Sequence, residues 1–533
     1  MKKETSTHML YFSFFVIVSL FYIFNGYAML GTNDDWALWG MLNYKGIYGT
    51  LIMSYPGSFI VSKLYDIFPF FPWYSILLSF IIILNFYAIS IYIKNIESFL
   101  QKIALLIVSF FLISYFWLNA TITSLTVLTM LISIGLINKN LKLSFVVIFL
   151  AFLLRSDIMF VFIPFYMVSY FILKDKLKPT KSEVSTLVTV IILITLFLFL
   201  QSQDKFYINW MQFNKARSAI VDLAILNVDK NYFSIIEKFC YQAGWLQDPQ
   251  LLSTKKLIAT SPSFTDVLSI YLNKIDIINF VKYYKFKYWL WLLLGSSFIA
   301  LFIAFKEKRV IFILFFVVIA ILLLIVRDVH RVTVPLMVIW GYVLFEVLNR
   351  YKILSTLFSF SIVYVLYIYM SAQFNISDKN ISYYKSLQKE AKALIKDSNK
   401  VCEISLNFPT NPSDKLNTVF IANYLFDEDS WIKIDNKEIL PTGWLVRNRF
   451  FYETHNLSDT TTKRKYKTYH DFLIDNNTAF FGSKSLTKSR SFNYLLKTYD
   501  KLYLKDKPNC KHKTAIIKSS KNFAISQVQV VCK

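Results

Sequence analysis

A chain of 533 residues that is 55% hydrophobic and 18% aromatic, with a mean hydropathy of +0.45, carries more apolar surface than one soluble core of this length can use. It holds 58 Lys and Arg against 34 Asp and Glu, a net charge of +24. Nothing in it resembles a groove-reading helix or a base-stacking sheet, so nucleic acid is set aside as a partner and the composition is that of an α-helical polytopic membrane protein.

Eleven apolar runs are read as spans, at roughly 10 to 29, 72 to 93, 101 to 117, 121 to 137, 142 to 154, 158 to 173, 186 to 200, 287 to 305, 309 to 326, 332 to 348 and 353 to 371. The runs at 142 to 154 and 158 to 173 are short. They are read as two incomplete crossings meeting at a break around Arg155-Ser156-Asp157, the alternative being one long bent element. The first run has no small-residue cleavage site and leads straight into Asn33-Asp34-Asp35-Trp36, so it is read as a retained helix.

Orientation follows from the basic residues, which stay on the cytoplasmic side of short loops. With Lys2 and Lys3 inside, the inner turns carry Lys94 and Lys102, Lys139 and Lys142, Lys174 to Lys181, Lys306 to Arg309, and Arg350 with Lys352. The short outer turns hold only Lys45, Lys63, Arg155, Arg327 and Arg331, a ratio of 15 inside to 5 outside. Eleven crossings place the C-terminus outside, together with the first loop (30 to 71) and a long loop from about 201 to 286.

The first outer loop carries the most informative pair in the chain, Asp34 and Asp35. Two adjacent carboxylates beside the hydrocarbon boundary are costly. Asn33 or Asp34 capping the short apolar helix that follows, Trp36 to Leu42, would account for one acid. The second is left over, and catalysis is the reading it supports. A further segment, Ser54-Tyr55-Pro56-Gly57 leading into Phe59 to Phe68, is read as a second helix lying in the interface, with Tyr and Trp anchors around it.

Further along, outward-facing arginines are the natural receivers for an anionic group, because the planar guanidinium pairs phosphate oxygens two at a time. Arg155 in Leu153 to Asp157 is one candidate, although Arg155 with Asp157 is equally a local ion pair at a helix end. Arg327, His330 and Arg331, clustered in one turn between two spans, form the other. In the long loop, Arg217 and Asp222 spaced along a helix are candidates for lining a cavity. Trp245 beside Asp248 is the aromatic-plus-acid pairing of sugar sites, with surface packing explaining these residues at least as well.

From Ser371 the composition turns rich in Lys, Asn, Asp and Ser with no long apolar run, which predicts a separate soluble extracytoplasmic domain over 372 to 533 behind a membrane domain over 1 to 371. Residues 377 to 396 have helical spacing, and Lys400 to Leu406 alternates like a strand, so an α/β or α+β domain is expected. This tail has 27 Lys and Arg against 16 Asp and Glu. Its basic face is read either as a solvated surface or as an attraction to anionic glycolipid and lipid headgroups.

All four cysteines, Cys240, Cys402, Cys510 and Cys532, fall on the predicted outer side, which suits an oxidising compartment. Thr514 to Lys518 and Phe523 to Val530 alternate on either side of Ser519 to Asn522, a hairpin signal. Centring that hairpin between residues 520 and 521 sets position 510 against about 531, so Cys510 and Cys532 are the expected disulfide, with Cys402 to Cys510 as the competitor. No Cys and His spacing matches a zinc site, and no cofactor is called for.

An acidic pair directly after the first transmembrane helix, interfacial helices behind it, about eleven spans and a C-terminal outer domain together resemble the GT-C superfamily of membrane glycosyltransferases. Within it the layout is similar to bacterial O-antigen serotype-converting glucosyltransferases and to aminoarabinose and mannosyl transferases. The resemblance implies a polyprenyl-phosphate sugar as donor, a surface glycan or glycolipid as acceptor, inversion at the anomeric carbon, and Asp34 or Asp35 as acceptor-binding group or base. It also implies a site in the cytoplasmic membrane of a bacterial envelope. Branches that need a divalent metal carry a second acidic motif in a later loop; none is plain here. Two rivals stay open: an O-antigen polymerase or ligase, against which the Asp-Asp pair and the soluble tail count, and a flippase or transporter. The latter would call for internal repeats, and only Pro164 and Pro335 interrupt the spans.

Overall fold

The computed structural model describes residues 2–25, 28, 38, 42, 50, 52–54, 55–68, 71–94, 96, 98–118, 120–137, 140–173, 180–204, 207–208, 211–212, 214, 255, 259, 367, 386, 389–390, 393–394, 401–404, 439–441, 469–476, 478–483 and 490–533. Helices occupy the first seven apolar runs. The runs at 287 to 305, 309 to 326, 332 to 348 and, apart from Tyr367, 353 to 371 lie outside the described residues. Among the described residues, three unbroken helices are long and apolar enough to cross a membrane, Trp73–Lys94, Phe99–Leu118 and Lys181–Gln203; a fourth apolar stretch, Leu141–Pro164, has a break at Arg155, and Met9–Phe24 and Ile122–Gly135 are shorter apolar helices. The chain is therefore a helical, membrane-associated protein.

Helix α1 (Lys2–Phe24) begins well before the apolar run, because its polar leader continues the same helix, and it ends sooner. Asn25 closes it, donating from both its backbone N–H and its Nδ2 to the Phe21 carbonyl at 3.1 and 2.8 Å. After a short helix α2 (Tyr55–Ile67) come α3 (Trp73–Lys94), α4 (Phe99–Leu118) and α5 (Ile122–Gly135). Every residue of α5 from Ile122 to Ile134 is buried, so this helix is the axis of the described bundle. Lipid offers no hydrophobic drive between helices, and small polar side chains tie them instead. Asn85 of α3 donates to Thr129 Oγ1 of α5 at 3.2 Å. Thr126 and Thr129 return their hydroxyl protons to the carbonyls four residues back, both at 2.7 Å.

Helix α6 (Leu141–Leu173) is written as 33 residues but is not one rod. Arg155 has φ −155° and ψ 94°, extended backbone inside a helical run. Ser144 Oγ and Tyr166 OH lie 2.7 Å apart, whereas an unbroken helix would separate those residues by about 33 Å. Phe152 and Phe160, on either side of the break, have ring centres 6.4 Å apart. The two arms therefore fold back on each other as a helical hairpin with Arg155 at its tip. Because Ser144 gives its proton to the Ser133 carbonyl of α5 at 2.6 Å, Tyr166 must be the donor in the Tyr166–Ser144 bond. Arms of about 21 and 27 Å fall short of a hydrocarbon core of about 30 Å, which agrees with the reading of two incomplete crossings and excludes the single bent element.

Helix α7 (Lys181–Gln203) starts with a capping box, Thr180 N–H donating to Glu183 Oε2 at 2.6 Å and Glu183 N–H to Thr180 Oγ1 at 3.3 Å. Of its residues only Val190 is buried, so it stands at the periphery of the described bundle.

A break in a helix strands backbone carbonyls, and they must find donors. Leu153 and Leu154 find them in the residue before α2: the Ser54 hydroxyl donates to the Leu153 carbonyl, and the Ser54 N–H donates to that of Leu154 at 3.1 Å. Gly57 permits the approach. A Cβ at this position would stand well inside contact distance of the Leu153 carbonyl oxygen, a backbone atom that cannot swing aside. Gly57→Ala should therefore push α2 off the break and lower stability by about 1–3 kcal/mol, the usual range for overpacking. A thermal melt of the detergent-purified protein, compared with Ser58→Ala, checks this.

Among the described residues of the tail, five strands form one mixed sheet: β1 (Val401–Ile404), β2 (Ile439–Pro441), β3 (Thr478–Ser483), β4 (Cys510–Ser519) and β5 (Phe523–Cys532), in the order β2-β1-β3-β5-β4. The pairs β1–β2 and β1–β3 are parallel; β3–β5 and β5–β4 are antiparallel. Two helices accompany it, α8 (Tyr469–Ile474) and α9 (Arg490–Tyr503). The expected hairpin is present with its turn at Lys521 and Asn522, where Ser520 N–H donates to the Phe523 carbonyl at 2.9 Å. The centre thus lies slightly later than the residue pattern suggests. That later centre alone would set Cys510 against Lys533; a bulge between Ile516 and Lys518 absorbs one residue, so that Cys510 pairs with Cys532. Those two cysteines are disulfide-bonded, which leaves no thiol for the Cys402 to Cys510 alternative. Glu390 accepts from Asn522 N–H and Nδ2, both at 2.8 Å, and fastens the hairpin tip. Slight burial raises its carboxyl, but these bonds, one from Ser520 and the nearby Lys521 outweigh it, and the net shift is downward.

Candidate functional site at the helix break

Four segments meet at the tip of the α6 hairpin. Thr123 lies in the first turn of α5, Arg155 and Asp157 at the break, Ser54 and Tyr55 at the start of α2, and Asp204 and Tyr207 just beyond the end of α7. Each position follows from a local cause. Thr121 caps α5 by accepting from Ser124 N–H at 3.0 Å, which fixes the first turn and Thr123 with it. Asp204 ends α7 and opens a new turn, its carboxylate accepting from Tyr207 N–H at 2.9 Å and its carbonyl from Ile208 N–H at 3.0 Å.

Arg155 is the chemical centre of this group. Its Nε donates to Asp157 Oδ1 at 3.0 Å and its Nη2 to Asp157 Oδ2 at 3.1 Å, the two-pronged geometry a guanidinium favours, while Nη1 donates to the hydroxyl of buried Thr123. The Arg155 side chain is 21% exposed and that of Asp157 60%. The guanidinium is thus oriented by one carboxylate on the solvent side and one hydroxyl on the protein side. Tyr207 is buried, and its ring meets that of Tyr55 edge to face with centres 5.0 Å apart. Burial pushes the Tyr207 phenol up, and the carboxylates of Asp157 and Asp204 push it further, so it remains a neutral O–H donor in their vicinity.

A cation held from two sides near a buried phenol at one end of a helical bundle is suited to receive an anionic headgroup. The Arg155–Asp157 ion pair read from the sequence is present, and it orients the same guanidinium that a ligand would meet. Sequence reasoning did not single out Thr123, Tyr55, Asp204 or Tyr207 as members of this group. The signal for Tyr55 and Gly57 was the Ser54-Tyr55-Pro56-Gly57 turn; for Tyr207 there was none, because it follows an apolar run 50 residues from the break.

The remaining candidates, Asp34, Asp35, Arg217, Asp222, Trp245, Asp248, Arg327, His330 and Arg331, lie outside the described residues. Among the described residues no group of three or more His, Cys, Asp and Glu side chains is placed to hold a metal ion. The tail holds one polar cluster that the sequence concealed: His470 and His512, which seemed scattered, meet with their Nε2 atoms 2.9 Å apart. No family model, curated protein or solved structure matches the chain.

Proposed function

We propose that this chain is an inverting glycosyltransferase that moves a sugar from a polyprenyl-phosphate donor to a surface glycan or glycolipid at the outer face of the cytoplasmic membrane. The observation that carries the reading is Arg155. Outward by the basic-loop count, which puts Asp34 and Asp35 on the same side, it stands at the tip of a broken helix, aligned by Asp157 and Thr123. Membrane proteins keep charged groups at such depth for ions and substrates.

In this reading Asp34 or Asp35 takes the proton of the acceptor hydroxyl as its oxygen attacks the anomeric carbon. The bond from that carbon to the phosphate oxygen breaks, and its electron pair leaves with the polyprenyl phosphate. A carboxylate base supports such a step because an un-ionised hydroxyl is a weak nucleophile. Arg155 receives the negative charge growing on the leaving phosphate, with Arg327 and Arg331 as further outward cations on the sequence. The single acidic pair favours a branch that works without a divalent metal. The polymerase or ligase reading is weaker, since it leaves Asp34-Asp35 and the sheet-bearing tail without a role.

The leaving group is the same whatever sugar is moved, which gives a test independent of its identity. Membranes carrying the wild-type protein, supplied with a set of hexosyl and pentosyl polyprenyl phosphates and native envelope acceptor, should release polyprenyl phosphate in proportion to the protein present. Release no greater than from membranes lacking the protein, across the set, would contradict the proposal.

A further inference from the structure

His470 is on α8 and His512 on β4, 42 residues apart. Both are buried, at 6% and 5% exposure. Their Nε2 atoms are 2.9 Å apart, so a single proton lies between them. His512 is held firmly: Asp500 of α9 accepts from its backbone N–H at 2.7 Å and from its Nδ1 at 2.8 Å. A carboxylate accepts only, so the Nδ1 of His512 carries hydrogen and its Nε2 is the atom that faces the partner. His470 is held loosely. Its ring stacks on Tyr503, with centres 3.8 Å apart and planes 10° from parallel, and meets Tyr499 edge-on. Its Nδ1 has no hydrogen-bond partner, the nearest carboxylate oxygen being Asp471 Oδ1 at 3.7 Å.

Counting protons on the four ring nitrogens shows what acid does. With both rings neutral, His470 Nε2–H donates to bare His512 Nε2. One added proton is accommodated, because the four ring nitrogens then carry three hydrogens and one of these still lies between the two Nε2 atoms. A second added proton sets two N–H groups against each other at 2.9 Å, and the pair cannot remain closed. The other charged and titratable groups around the pair do not relieve this. On α9 they are Asp500, Tyr499 and Tyr503; on α8, Asp471, which is partly exposed. On β4 the neighbours Lys511 and Lys513 are exposed on the opposite face. Strand β5 places Val530 opposite His512 and has no titrating side chain, and β3 has none.

We propose that His470 and His512 form an acid-sensitive latch, in which a second added proton breaks their shared bond and releases helix α8 from the sheet while the β4–β5 hairpin stays closed. The asymmetry comes from the anchoring. The Cys510–Cys532 disulfide holds β4 covalently and Asp500 adds two hydrogen bonds, whereas α8 is held without a covalent tie, through His470 and, just past its end, the bonds from Gln527 Nε2 to the Asp475 carbonyl and Asn476 Oδ1, at 3.0 and 3.4 Å. Burial, and then the charge of His512, lower the His470 imidazolium from 6.5 to about 4 in the closed form. The released ring regains the ordinary value, so the open form binds the proton better. Closure is complete above about pH 6.5, weakens as pH falls and levels off below about pH 4. On the outer face proposed above, where pH follows the surroundings, this would make the tail responsive to acid.

Hydrogen exchange by mass spectrometry on the full-length protein in detergent, at steps between pH 7.5 and 4.5, reads the latch. Rates are normalised at each pH to those of unstructured peptide. Protection of peptides spanning 469–476 should fall about tenfold per pH unit below 6.5, with peptides from 510–532 unchanged. His470→Phe, which keeps a ring on Tyr503 but cannot titrate, should show a flat profile. Constant protection of 469–476 in the wild type overturns the latch, as does an equal fall in His470→Phe. Parallel loss across 510–532 overturns it too, because the whole sheet would then be opening.

Discussion

Replacing Arg155 by alanine should lower sugar transfer by about 10²–10³ in kcat, the cost of removing one preorganised group that stabilises developing charge. The acceptor's KM should be little affected, because the guanidinium is assigned to charge that grows on the leaving phosphate. Arg155→Lys keeps the charge but loses the planar fork that Asp157 and Thr123 align, so it should recover only part of the rate. The competing reading, a local ion pair, predicts something different. A pair whose carboxylate is 60% exposed is worth at most about 1 kcal/mol, and its loss would leave turnover intact in protein that still inserts.

Much of the bundle was legible because its signal is local. Runs of apolar residues fix where helices stand, and a helix needs nothing from distant sequence to satisfy its backbone. The break at Arg155 could be read from two short runs around a charged triplet. Its consequence, a hairpin folded tightly enough for Tyr166 to reach Ser144, was equally implied by the arm lengths. The Cys510–Cys532 pair was readable because hairpin register follows from alternation; the later turn and the bulge near Ile517 act in opposite directions and together shift the pairing by a residue. The groups that were not legible are those assembled across the fold. Tyr207 reaches the Arg155 neighbourhood only because Asp204 turns the chain at the end of α7. Gly57 looked like turn punctuation until the Leu153 carbonyl occupied the place of its side chain. His470 and His512 sit in elements that share no sequence pattern, and their meeting depends on how α8 packs on the sheet.

In the proposed reaction the acidic pair Asp34 and Asp35 bears the heaviest chemical duty. A carboxylate that accepts the acceptor's proton should cost about 10²–10⁴ in turnover when its oxygen is replaced by an amide, whereas asparagine in place of an aspartate that merely caps a helix is close to neutral. Asparagine keeps the size and most hydrogen bonding of aspartate, so protein level and folding should hold in both variants. The decisive measurement is the rate of sugar transfer from a polyprenyl-phosphate donor in membranes containing wild type, Asp34→Asn or Asp35→Asn at equal protein level. At least one variant should lose about 10²–10⁴ of the rate; full activity in both would leave the acidic pair a structural cap and the transferase without its base.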